Sequence, residues 1–355
     1  MNKKMMVSLI TGILFSAGAL YLAFKNIPFG ELSAYLASIN YFWMIPTTLV
    51  IIVCFILRVI RWQIILSSTK RLDFWQAFHP LMIGFMLNCV LPARIGELAR
   101  PAIIKKKHNI PFTTGFATVA AERLFDMVFL VCFLAVVLAT VPMDPEFHYS
   151  YKEYQLDRET LKTIGQSMVV FCLILITGIA TISLDRSRNM IIKILQKIPA
   201  LLSLGVHRIS NAIKIYLTGP LESLVINIAS GFSLVKNPLN LFNCIFLSMA
   251  IWGLSVLSYY LFSLGCPGVS LSFFQLATVM IIICFFIALP SAPGFWGLWE
   301  AGGIFAMMLF GISGKEAAGF NLANHAIQMI PVIIIGIVSA MLSSINIFKI
   351  ADDAS

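Results

Sequence analysis

The stretch NCVLPARIGELARP, residues 88–101, interrupts an otherwise apolar part of the chain with two prolines, a glycine and three ionisable residues. Basic residues flank this part of the chain on both sides, with Lys70 and Arg71 before it and Lys105–Lys107 after it. Short loops rich in Lys and Arg are typical of the cytoplasmic side of a membrane. Because both flanks share that character, we predict a re-entrant helical hairpin over residues 74–104, with its tip at 91–94.

The composition of the whole chain indicates that a membrane surrounds it. The 355 residues are 59% hydrophobic and 12% charged, with a mean hydropathy of +0.91, whereas a soluble domain carries about 25% charged residues. Several apolar runs reach the roughly 18 residues that mark a spanning helix. The first, Met6–Phe24, could be a signal peptide, but no convincing cleavage site follows it, so we interpret it as a retained helix. We predict an all-α integral membrane protein, a polytopic helical bundle forming a single transmembrane domain over residues 1–355.

The placement of charge predicts the topology. Lys3 and Lys4 place the N-terminus in the cytoplasm, and Lys349 places the C-terminus there. A helix predicted over about Tyr41–Leu57 returns to a basic cytoplasmic loop that begins with Arg58 and Arg61. Residues 142–165 are acidic and form a predicted external loop, whereas 186–238 mix basic and apolar residues as amphipathic helices on a cytoplasmic membrane face do. Whether residues 216–235 enter the bilayer stays open. This distribution accounts for the net charge of +9 without a nucleic acid, and it indicates the cell (cytoplasmic or inner) membrane.

A second interruption, PSAPG at residues 290–294, divides the apolar segment 271–311 in the same way. We predict that this segment is a re-entrant hairpin entering from the opposite face. The chain then has two halves, 1–141 and 239–349, with broken helices at matching places, which is typical of inverted-repeat transporters. The alternative is that the prolines kink two ordinary spanning helices.

Ionisable residues inside membrane segments are rare and mark functional sites. Seven fall in these segments, and we predict that they form a mid-membrane cavity for an anionic, phosphate-bearing group, because Arg binds phosphate as a planar fork. The seven are Arg94, Glu97, Arg100, Glu122, Arg123, Asp126 and Glu300. The alternative is that they only neutralise one another and lock the hairpins.

A polar stripe at helical spacing follows the second break. We expect that it lines the same cavity or hydrogen-bonds neighbouring helices. Its members are Asn321, Asn324, His325 and Gln328, and Asn88 joins them as a candidate from the first half. The seven cysteines are scattered singly, so we predict no disulfide framework, no metal site and no cofactor.

Three segments together resemble one family. They are residues 88–101, the pattern Glu122-Arg123-x2-Asp126, and the segment from Pro293 to Gly302. They resemble the membrane domain of the lysylphosphatidylglycerol synthases and its stand-alone relatives. The resemblance implies a lipid flippase. We expect no cytosolic aminoacyltransferase domain, because the chain ends at Ser355. Some archaeal relatives are fused to glycosyltransferases, so a polyisoprenyl-phosphate or glycolipid substrate stays open.

We therefore predict a flippase or scramblase that moves an anionic lipid, either a phospholipid or a polyisoprenyl-phosphate lipid, with Arg94 and Arg100 on its phosphate. No Walker motif is present, so we expect a transporter rather than an enzyme or ATPase. One alternative is an intramembrane enzyme that acts on a lipid phosphate or glycolipid, with Glu122 and Asp126 as acid and base. The other is a scaffold for a separate lipid-modifying synthase. A homodimer and such an enzyme both stay open as partners.

Overall fold

The computed structural model describes residues 3–25, 27–91, 94–140, 184–202, 237–289 and 292–345, with short pieces between 149 and 182 and between 217 and 226. Within these residues the chain forms eleven α-helices. They are α1 (Lys3–Phe24), α2 (Phe29–Ser38), α3 (Met44–Leu66), α4 (Phe74–Val90), α5 (Gly96–His108), α6 (Phe112–Thr140), α7 (Asp185–Leu202), α8 (Pro238–Ser263), α9 (Phe273–Phe286), α10 (Leu298–Met308) and α11 (Gly314–Leu342).

The chain is an all-α integral membrane protein. Three of its described helical stretches, Tyr41–Leu66, Pro238–Ser263 and Gly314–Leu342, are long and apolar enough to cross a membrane. A two-stranded antiparallel hairpin, β1 (Tyr149–Tyr151) with β2 (Tyr154–Leu156), lies in the predicted external loop. Most of residues 142–165 and 203–236 lie outside the described residues, as does Lys349. The location of each segment relative to the two membrane faces stays a prediction.

The third helix is longer than predicted from sequence. We expected it to end at Leu57 because Arg58 and Arg61 resemble the start of a basic loop, but α3 continues to Leu66. Arg61 is fully buried there, and so are Val59 and Trp62. The two arginines belong to the protein interior because carboxylates from another helix pair with them.

The predicted first hairpin is present as α4 and α5, which pack against each other. An Asp73–Gln76 capping box begins α4, and this satisfies free N–H groups at the helix start. The predicted break falls between Val90 and Gly96, with Pro92 and Ala93 outside the described residues. A side chain at Gly96 would overlap the carbonyl oxygen of Gly84, so the glycine is what lets the two helices approach this closely.

The predicted second hairpin is present as α9 and α10. A Ser272–Gln275 capping box begins α9, and the described part of the break contains a 3₁₀ turn at Pro293–Phe295. Gly297, at φ 90°, has a conformation that favours glycine, and it packs on the backbone of Ser16 in α1. Whether either hairpin is re-entrant in a membrane stays a prediction.

The order of elements repeats along the chain. The long helix α3 is followed by the short pair α4 and α5 and then by the long α6, and α8 is followed by α9, α10 and α11 in the same way. The two halves meet where α3 packs along α8 and α4 packs along α11. The buried apolar core lies mainly among α8, α9, α10 and α11, with α2 packed against it.

Candidate functional site

Five arginines and three carboxylates from α3, the first break, α5 and α6 form one connected cluster, which we call the arginine cluster. Its members are Arg58, Arg61, Arg94, Arg100 and Arg123 with Glu97, Glu122 and Asp126. With each carboxylate ionised beside its guanidinium partners, five positive charges meet three negative ones. The cluster therefore carries an excess of two positive charges among the described residues.

Glu122 lies at the buried centre of the arginine cluster. Its Oε2 accepts a hydrogen bond of 2.7 Å from Arg100 Nη2, and its Oε1 accepts one of 2.8 Å from Arg123 Nη2. Arg61 Nη2 lies 3.5 Å from the same Oε1. Arg100 also lies over the ring of Trp62, 4.2 Å from its centroid. Glu122 and Arg100 thus pair with each other in the buried part of the site.

Asp126, one turn further along α6, holds the second buried junction. Its Oδ1 accepts a hydrogen bond of 2.7 Å from Arg61 Nη1 and one of 3.2 Å from the indole of Trp252 on α8. Its Oδ2 lies 3.4 Å from Arg123 Nη2 and 3.8 Å from Arg58 Nη1. Because α6 carries both carboxylates on one face, it joins α3, α5 and α8 around a single charged centre.

The outer edge of the arginine cluster is more open. The side chains of Arg94 and Arg123 are 40% and 31% exposed, whereas that of Arg100 is 3% exposed. Glu97 Oε1 lies 3.9 Å from Arg94 Nη1 and 4.0 Å from Arg123 Nε. These are loose contacts, so both guanidinium groups keep donors that an anion can bind.

The two broken hairpins meet at Arg94. Its backbone is left-handed, with φ 53°. Its Nη2 donates a hydrogen bond of 3.0 Å to the carbonyl of Ile287, just after α9 ends, and its guanidinium lies over the ring of Phe295 in the second break. A free carbonyl at a helix end needs such a donor. Arg94 therefore connects the tip of the first hairpin to the break of the second.

A cavity of about 790 Å³ adjoins this meeting point and is partly open to the outside of the protein. Its charged end is lined by Arg94, Glu97, Arg123 and Asp126. Its other walls are mainly apolar and include Met127, Leu130 and Val131 of α6 and Phe285 and Ala288 near the end of α9. A charged end and apolar walls suit an amphiphile with an anionic group.

A second buried polar site lies between α10 and α11. His325 Nδ1 lies 2.6 Å from Glu300 Oε1, and both side chains are fully buried. Glu300 Oε2 accepts a hydrogen bond of 2.7 Å from the backbone N–H of Gly297, and His325 Nε2 lies 2.9 Å from the carbonyl oxygen of Gly294. The pair thus ties α11 to the second break and lies apart from the cavity.

The other predicted polar residues face buried helix contacts. Gln328 donates to Ser258 Oγ at 2.9 Å, and Asn321 donates to the carbonyl of Ala317 at 2.7 Å. Asn324 is buried beside Tyr259, and Asn88 lies beside Gly96 in the first hairpin. The cavity walls include none of these four.

The structure brings six of the seven predicted ionisable residues into the arginine cluster and places Glu300 in the second site. The roles that we predicted for them stay predictions. Sequence reasoning missed Arg58, Arg61 and Trp252. The spacing of the two arginines, three apart with apolar residues continuing to Leu66, is the signal that would have found them.

Comparisons with known proteins place the chain among membrane proteins. The family model described as the lysylphosphatidylglycerol synthase TM region matches residues 9–336. Glycosyltransferase AglD of Haloferax volcanii is 26% identical over 363 residues, covering 95% of this chain and 54% of AglD. The UPF0104 membrane protein MJ1078 of Methanocaldococcus jannaschii is 31% identical over 94 residues, covering 26% of this chain and 36% of that protein. The chain thus matches about half of one relative and about a third of the other, and no solved structure matches it.

Proposed function

This chain belongs to the family of the lysylphosphatidylglycerol synthase TM region, and on that premise we propose that it moves an anionic, phosphate-bearing lipid between membrane leaflets. The headgroup enters the cavity at its charged end, and the acyl or prenyl chains stay along the apolar walls. The family name refers to a phospholipid, and a relative is named a glycosyltransferase, so both phospholipids and polyisoprenyl phosphates are candidate substrates.

The observation that carries this proposal is the unbalanced charge of the arginine cluster. Uncompensated charge is costly in a membrane, and Arg stays protonated whatever its surroundings. Two excess positive charges therefore favour binding of an anion with about two negative charges or of two singly charged groups. Because Arg94 and Arg123 are the exposed members and line the cavity, the phosphate binds there.

Arg100 has a different role in this proposal from the one predicted from sequence. Its contacts with Glu122 and Trp62 are internal, so it supports the binding residues and does not touch the lipid. Arg61 supports them in the same way through Asp126. Substrate contact thus belongs to Arg94 and Arg123, with Glu97 between them as the group that a phosphate displaces.

Leaflet exchange in proteoliposomes tests the proposal, using fluorescent anionic, zwitterionic and polyisoprenyl-phosphate lipids. We expect Arg94→Gln and Arg123→Gln to slow exchange of anionic lipids about tenfold or more, since a charge-assisted hydrogen bond contributes about 1.5–3 kcal/mol. The matched control is Arg188→Gln, which removes an arginine on α7 that pairs with Asp185 outside the cluster. That variant should exchange lipid at the wild-type rate.

Three outcomes would contradict the proposal. Folded wild-type protein that exchanges no lipid would remove translocation as the function. Chemically altered lipid after incubation would favour the intramembrane enzyme instead, and activity only with a co-purified synthase would favour the scaffold.

A further inference from the structure

The hydrogen bonds of His325 require a proton between this residue and Glu300. A carbonyl oxygen only accepts hydrogen bonds, so the Nε2 that faces the carbonyl of Gly294 must donate. Nδ1 then carries either a lone pair or a second proton. Two unprotonated acceptors would repel each other at the 2.6 Å that separates Nδ1 from Glu300 Oε1. The pair therefore holds one proton, as imidazolium with carboxylate or as neutral imidazole with carboxylic acid.

The surroundings of the pair enclose that proton. The indole of Trp299 stacks on the imidazole at 4.4 Å between ring centroids and an angle of 3°, and Trp296 lies at 4.4 Å from it. No Arg or Lys of the described residues lies within salt-bridge distance of Glu300. Without its proton the pair would keep a buried negative charge with no cationic partner, which is strongly unfavourable.

Few other titratable or charged groups face the pair from the helices packed around it. Tyr259 on α8 stacks against Trp299, with Cys284 of α9 near it. Cys89 of α4 presents its backbone carbonyl beside Gly294, and the guanidinium of Arg94 lies over Phe295. Of these neighbouring groups, only the Arg94 guanidinium carries a permanent charge.

The pair occupies the place in the second half that Glu97 and Arg123 occupy in the first. Glu97 and Glu300 both lie in the first turn of the short returning helix. Arg123 and His325 both lie eleven residues after the first residue of the following long helix, Phe112 and Gly314 respectively. The first pair faces the cavity and contains an arginine, which keeps its charge, whereas the second is buried and contains a histidine, which can lose a proton.

We propose that Glu300 and His325 form the proton-binding site that drives lipid movement, and that the described conformation is its proton-loaded form. This inference rests on the proposed function. The proton comes from water on one side of the membrane and leaves to water on the other. Its loss breaks either the Glu300–His325 bond or the His325–Gly294 bond, because one imidazole cannot then satisfy both acceptors. Loss of the His325–Gly294 bond frees the second break from α11, and loss of the Glu300–His325 bond frees α10 from α11.

The test is lipid accumulation in proteoliposomes with a pH difference across the membrane. We expect wild-type protein to concentrate anionic lipid in one leaflet, and His325→Gln and Glu300→Gln to exchange lipid only to an equal distribution. His79→Gln and His108→Gln are matched controls, because each removes an imidazole outside the pair, and both should accumulate lipid as the wild type does. Wild-type exchange that ignores the pH difference would overturn the proton site but leave the proposed function standing, as would accumulation that persists in both pair variants.

Two further readouts complement this test: the first uses only the wild-type protein, and the second does not depend on transport. Supplying anionic lipid to one leaflet of wild-type proteoliposomes should move protons, which a trapped pH dye records, and a flat trace with active exchange would overturn the inference. In detergent, pH titration of tryptophan fluorescence should show a transition that His325→Gln lacks, since His325 contacts two indoles. An identical transition in that variant would also overturn it. If no lipid is exchanged at all, the proposed function fails, and this titration alone decides whether the pair exchanges a proton.

Discussion

At the scale of single residues, Glu122 balances the arginine cluster, because its carboxylate contacts the guanidinium groups of Arg61, Arg100 and Arg123. Glu122→Gln would leave five guanidinium groups with two carboxylates. Removing one partner of a buried ion pair costs about 3–5 kcal/mol. We expect the free energy of unfolding to fall by that amount, measured as a lower midpoint of thermal unfolding in detergent.

A charge-restoring double variant separates lost charge balance from lost packing. Glu122→Gln with Arg100→Gln returns the excess to two positive charges and should recover part of the lost stability. Glu31→Gln is the surface control, since Glu31 and Lys315 are exposed and 4.0 Å apart and such pairs contribute about 0–1 kcal/mol. Unfolding of Glu122→Gln at the wild-type midpoint would show that the cluster does not depend on this carboxylate.

The sequence indicates which ionisable residues lie together better than it indicates which of them are buried. Arg94 and Arg100 are spaced alike from Glu97, so the sequence treats them as equivalent phosphate ligands. Packing separates them, because Gly84 admits the aliphatic part of Arg100 into the hairpin interface while Arg94 stays at the cavity edge. Which of two charged side chains is buried depends on the helices packed around them. The spacing of residues along the chain does not show which helices these are.

At the scale of elements, the close contact of α4 and α5 makes a direct prediction about Gly96. A methyl group there would overlap the carbonyl of Gly84 and come within 2.6 Å of Asn88 Oδ1. Gly96→Ala should therefore lower the free energy of unfolding by about 1–3 kcal/mol or more, which is the cost of overpacking. Gly253→Ala in α8 is the control, because nothing lies within 4 Å of its added carbon. The midpoint of thermal unfolding in detergent should be lower for Gly96→Ala than for Gly253→Ala. Equal midpoints would mean that α4 and α5 can move apart to admit the methyl group without loss of stability.

Element boundaries were predictable where the chain carries its own stop signals. Pro and Gly mark both breaks, and the structure interrupts its helices there. The end of α3 was not predictable in the same way, since Arg58 and Arg61 look like loop residues until Asp126 is brought beside them. The strands at Tyr149–Tyr151 and Tyr154–Leu156 are three residues long each, shorter than the roughly four to eight residues over which an alternating pattern predicts a strand.

At the scale of the whole molecule, the two halves have the same order of helices, but the two equivalent contacts between the halves differ in how closely the helices pack. In one half-to-half contact α4 packs tightly on α11, where a side chain at Gly336 would overlap Met86. In the equivalent contact, α6 and α9 pack together at Leu134 and Ile281, but Met127 and Ala288 line the cavity. A transporter built from matching halves can exchange these two arrangements. We expect the second state to open α4 from α11 while α6 closes on α9.

A cysteine pair at Met86 and Ala340 tests this exchange, because both residues lie in one buried apolar cluster that joins α4 to α11. In a background without the seven native cysteines, copper-catalysed oxidation of Met86→Cys with Ala340→Cys should stop lipid exchange, since a disulfide holds its Cα atoms within about 7 Å. Reduction should restore exchange, and each single variant should be insensitive to oxidation. Exchange at the unmodified rate in fully cross-linked protein would show that this face stays closed during transport. Lipid would then enter and leave through the cavity between α6 and α9 alone, and the protein would scramble lipid rather than alternate between two openings.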